Sequence, residues 1–228
     1  MKQLDLFPGF AQPQKPAIIH DQEPPQTFEV IYTDPPWDYD GRTFLDGKTN
    51  DTGAASDHYP TMTPEELMEL PVKDFRADKC ICFMWTTGPQ LDISIRVLEA
   101  WGFKYKTIAF VWDKVVTNPG YYTMSQTELA IVGTHNAIPT PRGARNVKQF
   151  HKEQRGRHSA KPHEFRKRIE QMFPNQTKLE MFQRESKPNW FAWGLDAVGE
   201  NIVSIPRLEN PSLPRNAELP QVMWPIPF

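Results

Sequence analysis

The sequence predicts a single α/β domain built on a parallel or mostly parallel sheet, with helices on both faces. Three observations predict it. Apolar runs of strand length alternate with amphipathic segments of helix length, the pattern of strand–helix–strand units. The chain has 228 residues, enough to bury a sizeable core as one domain. The first apolar run, Phe28 to Thr33, stops at Asp34-Pro35-Pro36-Trp37. Neither proline has an N–H to give to a ladder and each fixes its own φ, so the chain must leave the sheet at Asp34.

The elements follow in order. Residues 1–27 carry Pro8, Gly9, Pro13 and Pro16 and read as a tether ahead of the domain. Phe28 to Thr33 is the first strand. Thr63-Pro64-Glu65-Glu66 opens a helix, with threonine at the N-cap, proline at the first position and Glu66 placed for a capping box, and the helix is expected to run to about Phe75. Lys79 to Thr86 is a second buried strand. Its Cys80 and Cys82 lie two apart, so they share one face and read as reduced core residues. A helix from about Gln90 to Trp101 ends at Gly102. Tyr105 to Trp112 and Thr127 to Gly133 are further strands, Pro162 to Phe173 is a charged helix, and Lys178 to Phe182 is another strand. The domain is expected to span residues 28–200. Residues 201–228 hold six prolines and form a tail that is neither helix nor central strand. The Trp224-Pro225-Ile226-Pro227-Phe228 end suits docking on the domain or on a partner, and the sequence does not choose between them.

Three connections are long: Asp38 to Tyr59, Lys114 to Gln126 and Thr134 to Ala160. On a compact scaffold such segments are where binding sits. The net charge is only -2, but its distribution is uneven. Between Arg142 and Arg168 ten Lys or Arg residues face two acids, Glu153 and Glu164. A basic segment in an otherwise acidic chain fits contact with a phosphate backbone, and Arg142, Arg145, Lys148, Lys152, Arg155 and Arg157 are the expected contacts. No apolar stretch approaches membrane-spanning length and no secretory leader is recognisable, so a cytoplasmic protein with no membrane partner is expected. The six histidines form no ligand spacing with the two cysteines, so no metal is expected.

The departure of a chain from the carboxyl end of a strand is where open α/β sheets place their ligands. There the Asp34 carboxylate and the Pro35 carbonyl are two fixed acceptors, with Pro36 holding the turn and Trp37 a flat apolar wall. This arrangement suits methyl transfer to an exocyclic aromatic amine. Such a nitrogen is a poor nucleophile because its lone pair is delocalised into the ring. Two acceptors that hold its N–H bonds out of the ring plane localise that pair toward an electrophilic methyl, which is catalysis by orientation and preorganised dipoles. Once methylated, the nitrogen is strongly acidic, and Asp34 or water takes the proton. The plain alternative is a proline-terminated strand whose Asp and Trp only cap and pack.

Four ordered pieces carry a resemblance. They are Phe28 to Trp37; Phe83-Met84-Trp85-Thr86-Thr87 with Trp101-Gly102-Phe103; Thr127 to Gly133; and Arg157-His158-Ser159-Ala160-Lys161-Pro162-His163-Glu164, leading on to Lys178 to Arg184 and Pro188-Asn189-Trp190. In this order they resemble the Asp-Pro-Pro-Trp amino-methyltransferases, which include bacterial and phage DNA adenine methylases and the catalytic subunit of the messenger-RNA adenine N6 methylase. The resemblance implies a Rossmann-like, seven-stranded, S-adenosylmethionine-dependent methyltransferase fold, permuted so that the catalytic strand precedes the cofactor strand. It implies S-adenosylmethionine as methyl donor, with Asp34 touching both target amine and cofactor. Lys161 matches the lysine that approaches the methionine carboxylate, and Glu180 and Arg184 match residues near the adenosine half. The chain also departs from the pattern. Glu185-Ser186-Lys187 stands where the messenger-RNA enzyme has a His-Asn pair, and Leu195 stands where the family commonly has a ribose-binding asparagine. Asp196 is then the candidate ribose acceptor, and Asp21 a candidate for holding the adenine.

Gln3-Leu4-Asp5-Leu6-Phe7 resembles the pentapeptide by which many bacterial replication and repair proteins dock on the sliding clamp. Leu6 and Phe7 would enter an apolar pocket while Gln3 and Leu4 complete the contact. This leans the expectation toward DNA and toward a nucleoid-associated enzyme. The expected activity is methylation of the N6 amine of adenine in DNA, with the base extruded and stacked on Trp37. RNA adenosine N6 methylation, DNA cytosine N4 methylation and a non-catalytic nucleic-acid-binding subunit are the alternatives.

Overall fold

The computed structural model describes residues 27–37, 44–45, 48–49, 61–120, 122–156, 160–183 and 187–194. β1 (Phe28–Thr33) forms as expected and is buried along nearly its whole length. β2 (Phe44–Leu45) and β3 (Lys48–Thr49) make a separate small antiparallel pair. α1 (Pro64–Glu69) begins with the expected capping box: Thr63 Oγ1 accepts from the Glu66 N–H at 3.2 Å and Glu66 Oε2 accepts from the Thr63 N–H at 2.8 Å. The helix does not continue to Phe75 as one piece. Pro71 has no N–H and forces Leu70 out of the helical region, to ψ 135, so α2 (Val72–Phe75) starts afresh.

β4 (Arg76–Thr86) extends the second strand, and α3 (Leu91–Ala100) follows a short 3-10 turn over Gly88–Gln90. Gly102 ends that helix at φ 82, a left-handed conformation that glycine adopts without a Cβ clash. β5 (Lys104–Asn118) and β6 (Ser125–His135) are much longer than their apolar runs. Most of the expected 114–126 loop is therefore a hairpin. Beyond it come β7 (Phe150–Lys152), α4 (His163–Met172), β8 (Lys178–Met181) and β9 (Phe191–Trp193). β7 and β9, three residues each, are too short to show a period of two in the sequence.

Seven strands form one sheet in the order β7-β5-β6-β4-β1-β8-β9. β1 runs parallel to both β4 and β8, β8 to β9 and β5 to β7, while β6 is antiparallel to β4 and β5. The sheet is mostly parallel, as predicted, and its antiparallel part arises from the β5–β6 hairpin, which needs no crossover. Residues alternate between two cores. Ile31, Cys80, Cys82 and Met84 pack with Leu67, Val97, Leu98 and Trp101 of α1 and α3. Val30, Tyr32, Ile81, Phe83 and Trp85 pack with Phe165 and Ile169 of α4. Both cysteines are free and buried on one face, and burial pushes the Cys80 thiol up to about 12.

The register collects the site. Thr33 pairs with Met84 and Met181, Thr86 with Leu129, Asp113 with Thr127 and Lys152, and Met181 with Trp193. The ends of all seven strands near Asp34 therefore form one edge. β1 is also the switch point of the topology, because the helices that follow it pack on one face and the helix that leads into β8 packs on the other. A crevice outside the carboxyl end of such a strand is the standing ligand position in open α/β sheets.

Candidate active site

Asp34 emerges from β1 into this crevice with 44% of its side chain exposed. Its Oδ2 accepts from Lys161 Nζ at 2.6 Å. Lys161 precedes α4, so the pair ties the end of β1 to the start of that helix across 127 positions of chain. The pair does not stand alone. Glu128 Oε2 lies 3.3 Å from Lys161 Nζ, and Glu128 Oε1 accepts from Lys114 Nζ at 3.2 Å. A line of alternating charges, Asp34, Lys161, Glu128 and Lys114, thus crosses the edge from β1 to β5. The indole of Trp85 lies beneath it, with Lys161 Nζ 5.6 Å from the ring centroid.

Burial works against the charge on Lys161, but the carboxylates of Asp34 and Glu128 outweigh it and hold the ammonium well above the usual lysine range. Burial also pushes the Asp34 carboxyl above its ordinary value, and Lys161 offsets only part of that. Glu128 goes the other way: burial favours its neutral form, yet Lys161 and Lys114 together hold it below the usual glutamate range. The site therefore contains a fixed cation beside a partly open carboxylate. Sequence reading placed Asp34 and Lys161 here but assigned no role to Glu128 or Lys114. The signal for Glu128 was a charge inside the otherwise apolar strand run Thr127 to Gly133.

The rest of the motif is arranged differently from expectation. The Pro35 carbonyl accepts from the Trp37 N–H at 2.8 Å, closing a three-residue turn, and a carbonyl retains a second lone pair for an incoming amine. The Pro36 carbonyl accepts from the Met62 N–H at 2.8 Å and draws Trp37 into a bridge with Met62. Trp37 is only 3% exposed; its ring joins the core on the α1 side and its Nε1 donates to the Trp85 carbonyl at 3.1 Å. The expected stacking face is therefore not open. A buried indole N–H needs an acceptor, and the one it finds lies on β4, beneath the edge.

Glu180, expected near the cofactor, has a partner that the sequence did not suggest. Both its oxygens accept from Arg166 of α4, at 2.6 and 2.8 Å, in a bidentate pair with only 13% and 10% of the side chains exposed. Beside it, Tyr32 accepts from Trp85 Nε1 at 2.7 Å, and burial keeps its hydroxyl neutral.

The basic segment is split between the two ends of the sheet. Arg142 and Arg145 follow the far end of β6, and the Gly143 N–H donates to the Met172 carbonyl at the last turn of α4. The Arg142 guanidinium lies over Phe173, 5.5 Å from the ring centroid, and lines an apolar cavity with Phe83, Phe110, Val132 and Met172. Arg142 is thus a packing residue. Lys148 lies between the ends, its carbonyl held by Arg168 Nη1 at 2.7 Å. Lys152, opposite Asp113 and 3.8 Å from its carboxylate, lies at the edge that carries Asp34; Arg155 follows three residues later, and both are exposed. Asp21, Arg157, Arg184, Asp196, Leu195 and the peptide from Gln3 to Phe7 lie outside the described residues. Among the described residues there is no group of three or more His, Cys, Asp or Glu arranged to hold a metal, and no helix long and apolar enough to cross a membrane.

A seven-stranded mostly parallel sheet with its crevice at the switch point is a Rossmann-like fold, and the family and relatives it matches make it a methyltransferase. Residues 28–196 match the MT-A70 family, and the chain belongs to it. It is 47% identical over 199 residues to the Type II methyltransferase M.MunI of a Mycoplasma species, an alignment covering 82% of this chain and 85% of that protein. It is 26% identical over 194 residues to an N(6)-adenosine-methyltransferase MT-A70-like protein of Arabidopsis thaliana, covering 78% of this chain but 25% of the plant protein. To the N(6)-adenosine-methyltransferase catalytic subunit METTL3 of Homo sapiens it is 25% identical over 186 residues, covering 77% of this chain and 29% of the human one.

The methyl donor of this family is S-adenosylmethionine, and the charges at the edge suit it. Its amino-acid end is a zwitterion and its sulfonium a cation. The Lys161 ammonium suits the carboxylate, and the partly exposed Asp34 carboxylate suits the positive groups. When bound, the donor supplies an electrophilic methyl group.

Proposed function

We propose that the protein methylates the exocyclic N6 amine of adenine in DNA. The observation that carries this reading is the partly open Asp34 carboxylate, fixed by Lys161 beside the Pro35 carbonyl at the end of β1. Asp34 and the Pro35 carbonyl accept the two N–H bonds of the amine and turn its lone pair toward the methyl donor. Lys161 and, behind it, Glu128 keep the carboxylate in one position. After transfer, Asp34 or water takes the proton of the methylated nitrogen, which is strongly acidic. Since the amine cannot be reached inside a duplex, the base is extruded into the crevice. Trp37 closes the core below rather than stacking on it. Lys152 and Arg155 contact phosphates beside the crevice.

DNA is favoured over RNA by the similarity to M.MunI, which spans most of both chains, whereas the adenosine methyltransferases match over about a quarter of their length. The enzyme then works in the cytoplasm on nucleoid DNA. The test is transfer of a labelled methyl group from S-adenosylmethionine to duplex DNA, single-stranded DNA and RNA, followed by digestion to nucleosides. N6-methyldeoxyadenosine is expected from DNA, with activity lost in Asp34→Ala. Labelled N4-methyldeoxycytidine, or label in RNA alone, would overturn the proposal.

A further inference from the structure

The β5–β6 hairpin rises from the same edge as Asp34. From the Asp113–Thr127 pair its strands continue to the Asn118–Ser125 pair, five residues along β5 but two along β6, so the ladder is irregular there and its paired part extends about 7 Å beyond the sheet at about 3.3 Å per residue. Four of the six exposed large apolar side chains among the described residues lie on it: Val115, Val116, Tyr122 and Met124, with Tyr122 fully exposed. Between Lys114 and Thr127 the sequence has no acid, and its one charge, Lys114, is turned down into the pair with Glu128.

The base of this hairpin is held firmly. Val115 adopts φ 68, a left-handed conformation that is strained for a β-branched side chain. Asp113 sustains it, its Oδ1 accepting from the Val115 N–H at 2.8 Å and from Gln126 Nε2 at 2.6 Å. Lys114, the residue between them, joins the charge line that ends on Asp34. The bend at the base of the apolar tip therefore adjoins the charge line of the active site at one residue, Lys114.

We infer that this hairpin is a duplex-opening wedge, with Tyr122 and Met124 entering the base stack beside the target adenine. The inference rests on the DNA reading above. A duplex that delivers a base to Asp34 must lie along this edge, and there the base of the hairpin is flanked by Lys152 of β7, the strand paired with β5; its side chain is 61% exposed although its Nζ lies 3.8 Å from the Asp113 carboxylate, and the exposed Arg155 follows three residues later. A cationic rim suits phosphates and an uncharged aromatic tip suits base faces, which is how minor-groove and flipping proteins hold an opened step. A second copy of the chain would be an apolar partner for the tip, but it would not account for the cations beside it.

The experiment uses the whole chain and a duplex bearing the sequence found methylated in DNA from cells that express the protein. Wild type and the double variant Y122A/M124A are compared on the fully paired duplex and on the same duplex with an abasic site opposite the target. On the paired duplex the variant should lose roughly thirtyfold or more in kcat/KM, a loss set by unassisted unstacking. On the abasic duplex, where the base is already unpaired, the loss should be no more than about threefold. With 2-aminopurine at the target, wild type should raise the fluorescence of the paired duplex and the variant should not. Equal losses on both duplexes, or an unchanged variant, would overturn the wedge while leaving the methylation reading intact. A wild-type dimer in sedimentation that the variant converts to monomer, with equal losses on both duplexes, would assign the tip to a second copy instead. No methylated DNA from wild type would overturn both.

Discussion

Glu128 is held charged between two lysines in a setting that burial alone would make neutral. Its carboxyl lies below the ordinary glutamate range in the folded protein, so its stabilising contribution is complete above the ordinary value and is lost as pH falls through the lowered one. The difference in Tm between wild type and Glu128→Gln should therefore be full at neutral pH and shrink in the acid range; thermal unfolding at a series of pH values checks this. A difference that grew on acidification would contradict the assigned sign. At Tyr32 the consequence is simpler. Tyr32→Phe removes the acceptor of the buried Trp85 Nε1, and urea unfolding should register a loss of about 1–3 kcal/mol, the usual consequence of a buried donor left without a partner. Asp34 was legible as a site residue because a proline-terminated strand is a local feature, whereas Lys161 was legible only through the resemblance carried by the run Arg157 to Glu164. Glu128 was not legible, because what makes it part of the site is its position across two strands.

At the scale of elements, α4 does two jobs. Its apolar face covers the sheet through Phe165 and Ile169, and its Arg166 clamps Glu180 of β8. Arg166→Met strands a buried carboxylate and should destabilise by about 3–5 kcal/mol, whereas adding Glu180→Met should recover most of the loss, because neither charge then remains buried. Denaturant titration of the two variants distinguishes a clamp from an incidental contact. For α1, Thr63→Ala removes half of the capping box and should cost about 1 kcal/mol in the same assay. The start of that helix was readable because the capping box lies within four residues. Its early end was also written in the sequence, at Pro71, but an otherwise helical amphipathic pattern masked it. β7 and β9 left no trace, since three residues form a strand only where a longer neighbour offers its edge.

Across the whole molecule, the sheet sorts charge between its two ends. The run of cations from Arg142 onward reads as one phosphate-binding stretch, yet Arg142 and Arg145 sit beside the end of α4 remote from Asp34. Lys152→Ala/Arg155→Ala should lower the slope of log Kd for DNA against log salt by about 2, close to one released counterion for each contact. Arg142→Ala/Arg145→Ala should leave that slope nearly unchanged. Filter binding over a range of salt concentrations checks both, and equal changes would mean that the duplex extends along the α4 side.

The sequence by itself determined the α/β class, the five longer strands and the point at which β1 must end. Each depends on periodicity, proline or a short local pattern, which the chain carries at every stage of folding. The tertiary structure decided what required distant segments to meet. It placed Glu128 and Lys114 behind Lys161, turned the Trp37 ring into the core, gave Glu180 to Arg166 and divided the basic segment between two ends of the sheet. A side chain's partners in such a fold are set by strand order and register, and residues adjacent across this sheet are separated by as many as 148 positions in the chain.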